Sequence, residues 1–307
     1  MISHWDDVAR KRHEYGELRS ERRALSRPRG SRGVTLSRWR IDPGARSTPL
    51  HVHVDEEELF FVLSGSGLSW QGDAVHEIGA GDAIVHLADG AAHTLIADAD
   101  SDGPLDVLAY ASGSPTGLTV LPRAGVTWIG SRWLPQDAPH PFTAEPPLAE
   151  GELPPLAPRP ATIVALAGVE PSLQDRGPVR RTRRDLARAA GSQLSGLQHV
   201  AVTPGRRSSV RHCHSHDEEL FVVLEGTATL LLGDERHAVR CGSIVARPPG
   251  TGVAHSFEAG DDGVGLLAYG TREPADTCWY PDSQKISHRG LGVIGRMQPL
   301  EYWDGEE

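Results

Sequence analysis

His51 and His53 stand two residues apart, so an extended chain sends both imidazoles to one face while Val52 between them points to the other. Glu58 follows on the next strand, and past the turn in GDAIVHLADGAAH comes His93, which a later strand can bring to the same interior. The chain then repeats the arrangement with His212, His214 and Glu219, and with His255 at the end of GSIVARPPGTGVAH. Three neutral imidazoles and one carboxylate suit a divalent transition metal. Iron and manganese come first, nickel, cobalt, copper and zinc are compatible, and the chain has donors for up to two ions. Four protein donors leave coordination positions for water, a chelating substrate or dioxygen. Arg46 and Arg207 lie on the approach to each ligand strand and are candidate substrate contacts, because a guanidinium fork pairs with a carboxylate through two hydrogen bonds.

The elements that must position these groups come from a duplication. HVHVDEEELFFVLSG, from His51, recurs as HCHSHDEELFVVLEG, from His212, at an offset of 161 residues. The same offset relates Arg19 to Arg180, Arg22 to Arg183, Arg23 to Arg184, Leu25 to Leu186, Arg27 to Arg188, Gly30 to Gly191, Gly44 to Gly205, His76 to His237 and Gly81 to Gly242. Each copy consists of short apolar or alternating runs punctuated by glycine, which predicts an all-β sandwich or barrel rather than βαβ units. In ELFFVL both alternating faces are apolar, as expected where one barrel packs its outer face on another. VRRTRRDLARAA reads as a short helix, and the arginines in register between the copies read as salt bridges between the halves. Residues 135–160 hold nine of the 23 prolines and read as a semi-extended linker. An N-terminal domain with its arm then covers 1–134 and a C-terminal domain 161–307.

These motifs resemble those of the cupin superfamily, whose first reads G-x5-HxH-x3,4-E-x6-G and whose second reads G-x5-PxG-x2-H-x3-N. Gly44, His51, His53, Glu58 and Gly65 follow the first, as do Gly205, His212, His214, Glu219 and Gly226. The resemblance implies two tandem cupin barrels, each a double-stranded β-helix or jelly roll. It also implies metal-ligand roles for His51, His53, Glu58 and His93, and for His212, His214, Glu219 and His255. Spacing to Gly65 and Gly226 favours Glu58 and Glu219 over their neighbours Glu57 and Glu218. The chain departs from the pattern in three ways. Six residues separate the motif glycine from the first histidine, the final asparagine is missing, and in the first copy ADGAAH lacks the proline, with His86 near the place of Pro248. His216 has Asp55 as its counterpart and reads as a surface residue, and His76 and His237 read as structural.

Composition narrows the partners. A net charge of −10 gives no general attraction for nucleic acid or anionic lipid, and no apolar run approaches the length of a membrane span. A cytoplasmic protein acting on a small molecule is expected, and a homo-oligomer is compatible with this. Lys11 and Lys285 are the only lysines among 31 basic residues, a bias that points to a GC-rich bacterial genome. Cys213, Cys241 and Cys278 form no CxxC pair, so neither a disulfide framework nor a cysteine-based metal site is expected. The sequence therefore reads as a metal-dependent oxidoreductase, an oxygenase acting on a small organic acid or oxygenated aromatic. A decarboxylase or isomerase, or a non-catalytic ligand-binding or sensory bicupin, is the alternative.

Overall fold

A computed structural model describes residues 2–26, 33–112, 117–129, 132–134, 141–149 and 151–306. Arg27 and Gly30 of the repeat, and 135–140 and 150 of the proline-rich stretch, lie outside them. The structure is all-β, with every pairing between named strands antiparallel. In the first barrel a seven-stranded sheet runs in spatial order Ile163–Ala165, Asp82–His86, Glu58–Ser64, Leu105–Ser112, Val34–Ile41, Leu18–Ala24 and Lys11–Tyr15. A three-stranded sheet of His93–Ala97, Ser66–Gln71 and Ala74–Gly79 completes it. The second barrel repeats the plan around Glu219–Leu232 and the long strand His255–Thr271.

Period-two alternation places the core. Phe60 and Val62 turn into the first barrel beside Ile84 and Leu95, and Phe221 and Val223 turn into the second beside Phe257 and Leu266. The intervening residues Leu59, Phe61, Leu220 and Val222 meet in a third cluster shared by the two halves, in which Tyr110 stacks on Tyr269 at 5.0 Å. Strands apolar on both faces thus serve two cores at once, which accounts for ELFFVL and ELFVVL.

The barrels also exchange their first strands. Ile2–His4 pairs with Ser243–Arg247 of the second barrel, and Ile163–Ala165, at the same place in the repeat, pairs with Asp82–His86 of the first. The ranges 1–134 and 161–307 therefore each lend one strand to the other's sheet. Residues 155–159 run along the first barrel, where Ala157 N donates to Val75 O and the Arg159 fork grips Asp82. The matched arginines hold the crossing arms: Arg23 donates to Trp5 O at 2.7 Å and Arg184 to Val169 O at 3.1 Å. These contacts replace the expected salt bridges between halves. The expected helix is confined to Leu186–Ala189, capped by Asp185, because Val179–Asp185 is drawn into a sheet. No helix is long and apolar enough to cross a membrane among the described residues.

Candidate metal centre

In the first barrel the short strand Val52–His53, the start of Glu58–Ser64 and the start of His93–Ala97 converge. His51, His53, Glu58 and His93 come together there, with one donor atom from each within 4.8 Å of all the others. The Nε2 atoms of His51, His53 and His93 lie 3.5, 3.8 and 3.1 Å from Glu58 Oε2. Each ring is fixed through its far nitrogen, Nδ1: in His51 to Pro49 O at 2.9 Å, in His93 to Ala91 O at 3.2 Å and in His53 to Thr119 Oγ1 at 3.1 Å. Such contacts orient imidazoles so that Nε2 is offered to a common point. Burial pushes His53 down to about 4, leaving a neutral ring. Burial would raise Glu58, yet hydrogen bonds from His51 and His93 hold its carboxyl well below the ordinary value.

The second barrel gathers the equivalent residues. His212, Glu219 and His255 offer donors within 4.8 Å of one another, and His214 Nε2 lies 3.6 Å from Glu219 Oε2. Val210 O fixes His212 Nδ1 at 2.8 Å, and Asp276 Oδ2 fixes His214 Nδ1 at 2.8 Å. His255 is 2% exposed, its Nε2 lies 3.2 Å from Glu219 Oε2, and its Nδ1 has no hydrogen-bond partner. Buried imidazole nitrogens converging on one carboxylate are what a divalent cation would hold together, so the donor set fits a metal ion in each barrel.

Around these clusters the two sites differ. The first opens on a cavity of about 410 Å³ lined by Lys11, Arg22, Trp39, Glu56 and Trp128 among others. The second opens on about 790 Å³, with Arg176, Arg181, Phe221 and Tyr280 in the wall. Strand register pairs Glu58 with His86 and Glu219 with Arg247, so His86 is answered by Arg247 and not by Pro248. His86 stacks on His93 at 3.6 Å, whereas Arg247 turns to Val253 O. Glu56, 9% exposed, has Oε2 3.7 Å from His53 Nδ1. Its counterpart Asp217 is tied to Arg289 and to the backbone N of Glu273.

Arg46 and Arg207 line neither cavity, which corrects their assignment as substrate contacts. Arg46 is buried with one nitrogen on Glu145 Oε1 at 2.9 Å and another on Glu17 at 3.4 Å, and Arg207 faces Glu258 at 3.5 Å. Both guanidinium groups are spent on carboxylates of the barrel wall. Glu57 and Glu218 are not donors to the clusters either: Glu57 accepts from Ser192 Oγ, Gln193 N and Leu194 N of the other half, and Glu218 accepts from Gly33 N. His216 is exposed, and His76 Nδ1 contacts Ala157 O. Sequence reasoning missed Thr119, Asp276 and Glu56. The first two sit on or beside strands that reach the clusters from far along the chain, and Glu56 was hidden in an acidic run.

Comparison with known proteins agrees with this geometry. The cupin domain family matches residues 37–109 and 198–267. Among solved structures, oxalate decarboxylase from Lactobacillus farciminis in complex with formate superposes with a TM-score of 0.62 at 16% identity, covering 90% of this chain and 87% of that one. Oxalate decarboxylase from Bacillus subtilis superposes with a TM-score of 0.59 at 18% identity, covering 88% and 75%. At such identities the likeness is one of fold. Comparison with curated protein sequences finds no match.

Proposed function

We propose, this chain being a bicupin of the cupin superfamily, that it is a metal-dependent enzyme that decarboxylates a small organic acid. One observation carries the reading: in each barrel the histidine–glutamate cluster shares its cavity with cationic side chains, Lys11 and Arg22 in the first and Arg176 and Arg181 in the second. An acid lying in such a cavity meets the cluster at one end and a cation at the wall, a pairing that suits a molecule with two anionic groups. A divalent metal held by His51, His53, Glu58 and His93 would supply a Lewis acid for the substrate's oxygen atoms.

The first barrel is the better candidate for turnover, because a carboxylate outside the donor set, Glu56, lines its cavity with Oε2 3.7 Å from the donor residue His53, whereas the carboxylate that lines the second cavity, Asp175, pairs with Arg180 and Arg206. As the carbon–carboxylate bond breaks, CO2 leaves and the electron pair remains on the substrate carbon. A protonated Glu56 would then deliver the proton that completes the product. Asp217, the counterpart of Glu56, is turned to Arg289 and to the backbone N of Glu273 and does not line the second cavity. Open coordination positions serve an oxygenase equally well. The cationic walls and the likeness to oxalate decarboxylases favour decarboxylation over the oxygenase reading taken from the donor set alone.

The test is to load the protein with manganese or iron, supply a panel of small mono- and dicarboxylic acids, and follow CO2 release and oxygen uptake together. CO2 without matching oxygen uptake is expected for at least one acid. Oxygen consumed in step with substrate would restore the oxygenase, and binding without either change would make the chain a ligand-binding bicupin.

A further inference from the structure

The two clusters differ at one position that bears directly on which metal each prefers. Strand Leu118–Leu121 places Thr119 opposite His53, and strand Thr277–Tyr280 places Cys278 opposite His214. The second barrel thus carries a thiol where the first carries a hydroxyl. Cys278 is 8% exposed, and its Sγ lies within 4.8 Å of ring nitrogens of both His212 and His214. Tyr280, two residues on and hence on the same face, lines the cavity and stacks on His212 at 5.9 Å, so this face of the strand looks into the site. Cys213 pairs with Trp279 and alternates to the other face. Independently of the cysteine, His212 also groups with Glu219 and His255, whose donors lie within 4.8 Å of one another, so His212 joins the cysteine's group of donors to that of the carboxylate, as a cation site would.

We infer that Cys278 is a thiolate donor to the second cluster, making the C-terminal centre a site for a thiophilic divalent ion such as zinc, cobalt or cadmium, while the N-terminal centre keeps nitrogen and oxygen donors alone. Soft sulfur ligands select such ions, whereas imidazole and carboxylate leave manganese and iron competitive. On binding, the Cys278 thiol loses its proton to solvent as the sulfur–metal bond forms, so no oxidant or reductant is needed. The fifth donor also fills a position that stays open in the first barrel, in keeping with turnover there. The inference rests on a metal occupying the second cluster and not on decarboxylation.

Cobalt loading tests it. Full-length protein is loaded with Co(II), cleared of excess, and its cobalt per chain is measured beside the near-ultraviolet absorption, where a thiolate–cobalt bond gives an intense charge-transfer band. Two cobalt ions and the band are expected in the parent protein. Cys278→Ser and Cys278→Ala should both abolish the band and weaken cadmium binding at one of the two sites by about tenfold, with the other unchanged. Cys213→Ser should keep the band, as should Glu58→Gln. Two bound cobalt ions without the band would overturn the thiolate role and leave both metal centres standing. Survival of the band in Cys278→Ser would overturn it too. A chain that binds cobalt only at the N-terminal cluster would overturn both the thiolate role and the second metal centre, leaving the proposed decarboxylation untouched.

Discussion

The donor nitrogens are offered to the metal only because something holds the far side of each imidazole. Proline and alanine carbonyls do this for His51 and His93, a hydroxyl does it for His53, and a buried carboxylate does it for His214. Asp276 also accepts from the backbone N of His216 and of Asp217, so it ties the loop that follows the ligand. Replacing it by Asn keeps the size and removes the charge. Asp276→Asn is therefore expected to weaken metal binding at the C-terminal centre by roughly 10- to 100-fold and leave the N-terminal centre alone, as titration with a metal chelator would read. The four donors of each site were legible in the sequence because HxH at period two, followed by Glu, is a local pattern. Asp276, Thr119 and Cys278 were not, since their roles depend on pairings across more than sixty residues that no local spacing announces.

Strand exchange sets the elements apart from two beads on a string. The exchange was not readable in the sequence, because three-residue strands such as Ile2–His4 and Ile163–Ala165 carry too little pattern to specify partner or register. The turn glycine Gly242, at φ +86°, receives the arm: Trp5 N donates to Gly242 O at 3.0 Å. A Cβ added there would lie 2.3 Å from His4 Nε2 and 2.7 Å from Trp5 Nε1. Gly242→Ala should thus displace the arm as well as strain the backbone, at a cost of about 1–3 kcal/mol. A lowered melting temperature with a shift of Trp5 emission would report it. An unchanged melt would mean that the arm is a minor support.

At the scale of the whole molecule the halves share a core, and the glutamates beside the donors cross between them. Glu57 holds the segment 192–194 while Glu58, one residue later, faces the first metal centre, and Glu218 and Glu219 mirror this toward Gly33 and the second. Leu59 and Leu220 are both fully buried in the shared cluster. Leu59→Ala is expected to cost about 2–5 kcal/mol and to lower the stability of both halves together, giving one unfolding transition in urea. Two separated transitions, with the second half unaffected, would show that the barrels fold independently.

The proposed pair of metal centres, with turnover at the N-terminal one, is open to direct measurement. Its most direct test is to measure metal per chain and CO2 release in Glu58→Gln and Glu219→Gln beside the parent protein, on an acid that the parent decarboxylates. Each variant is expected to lose about one metal ion per chain, from its own barrel only. CO2 release should vanish in Glu58→Gln and largely persist in Glu219→Gln. Loss of both metals in either variant, or turnover that survives Glu58→Gln and disappears in Glu219→Gln, would contradict the proposal.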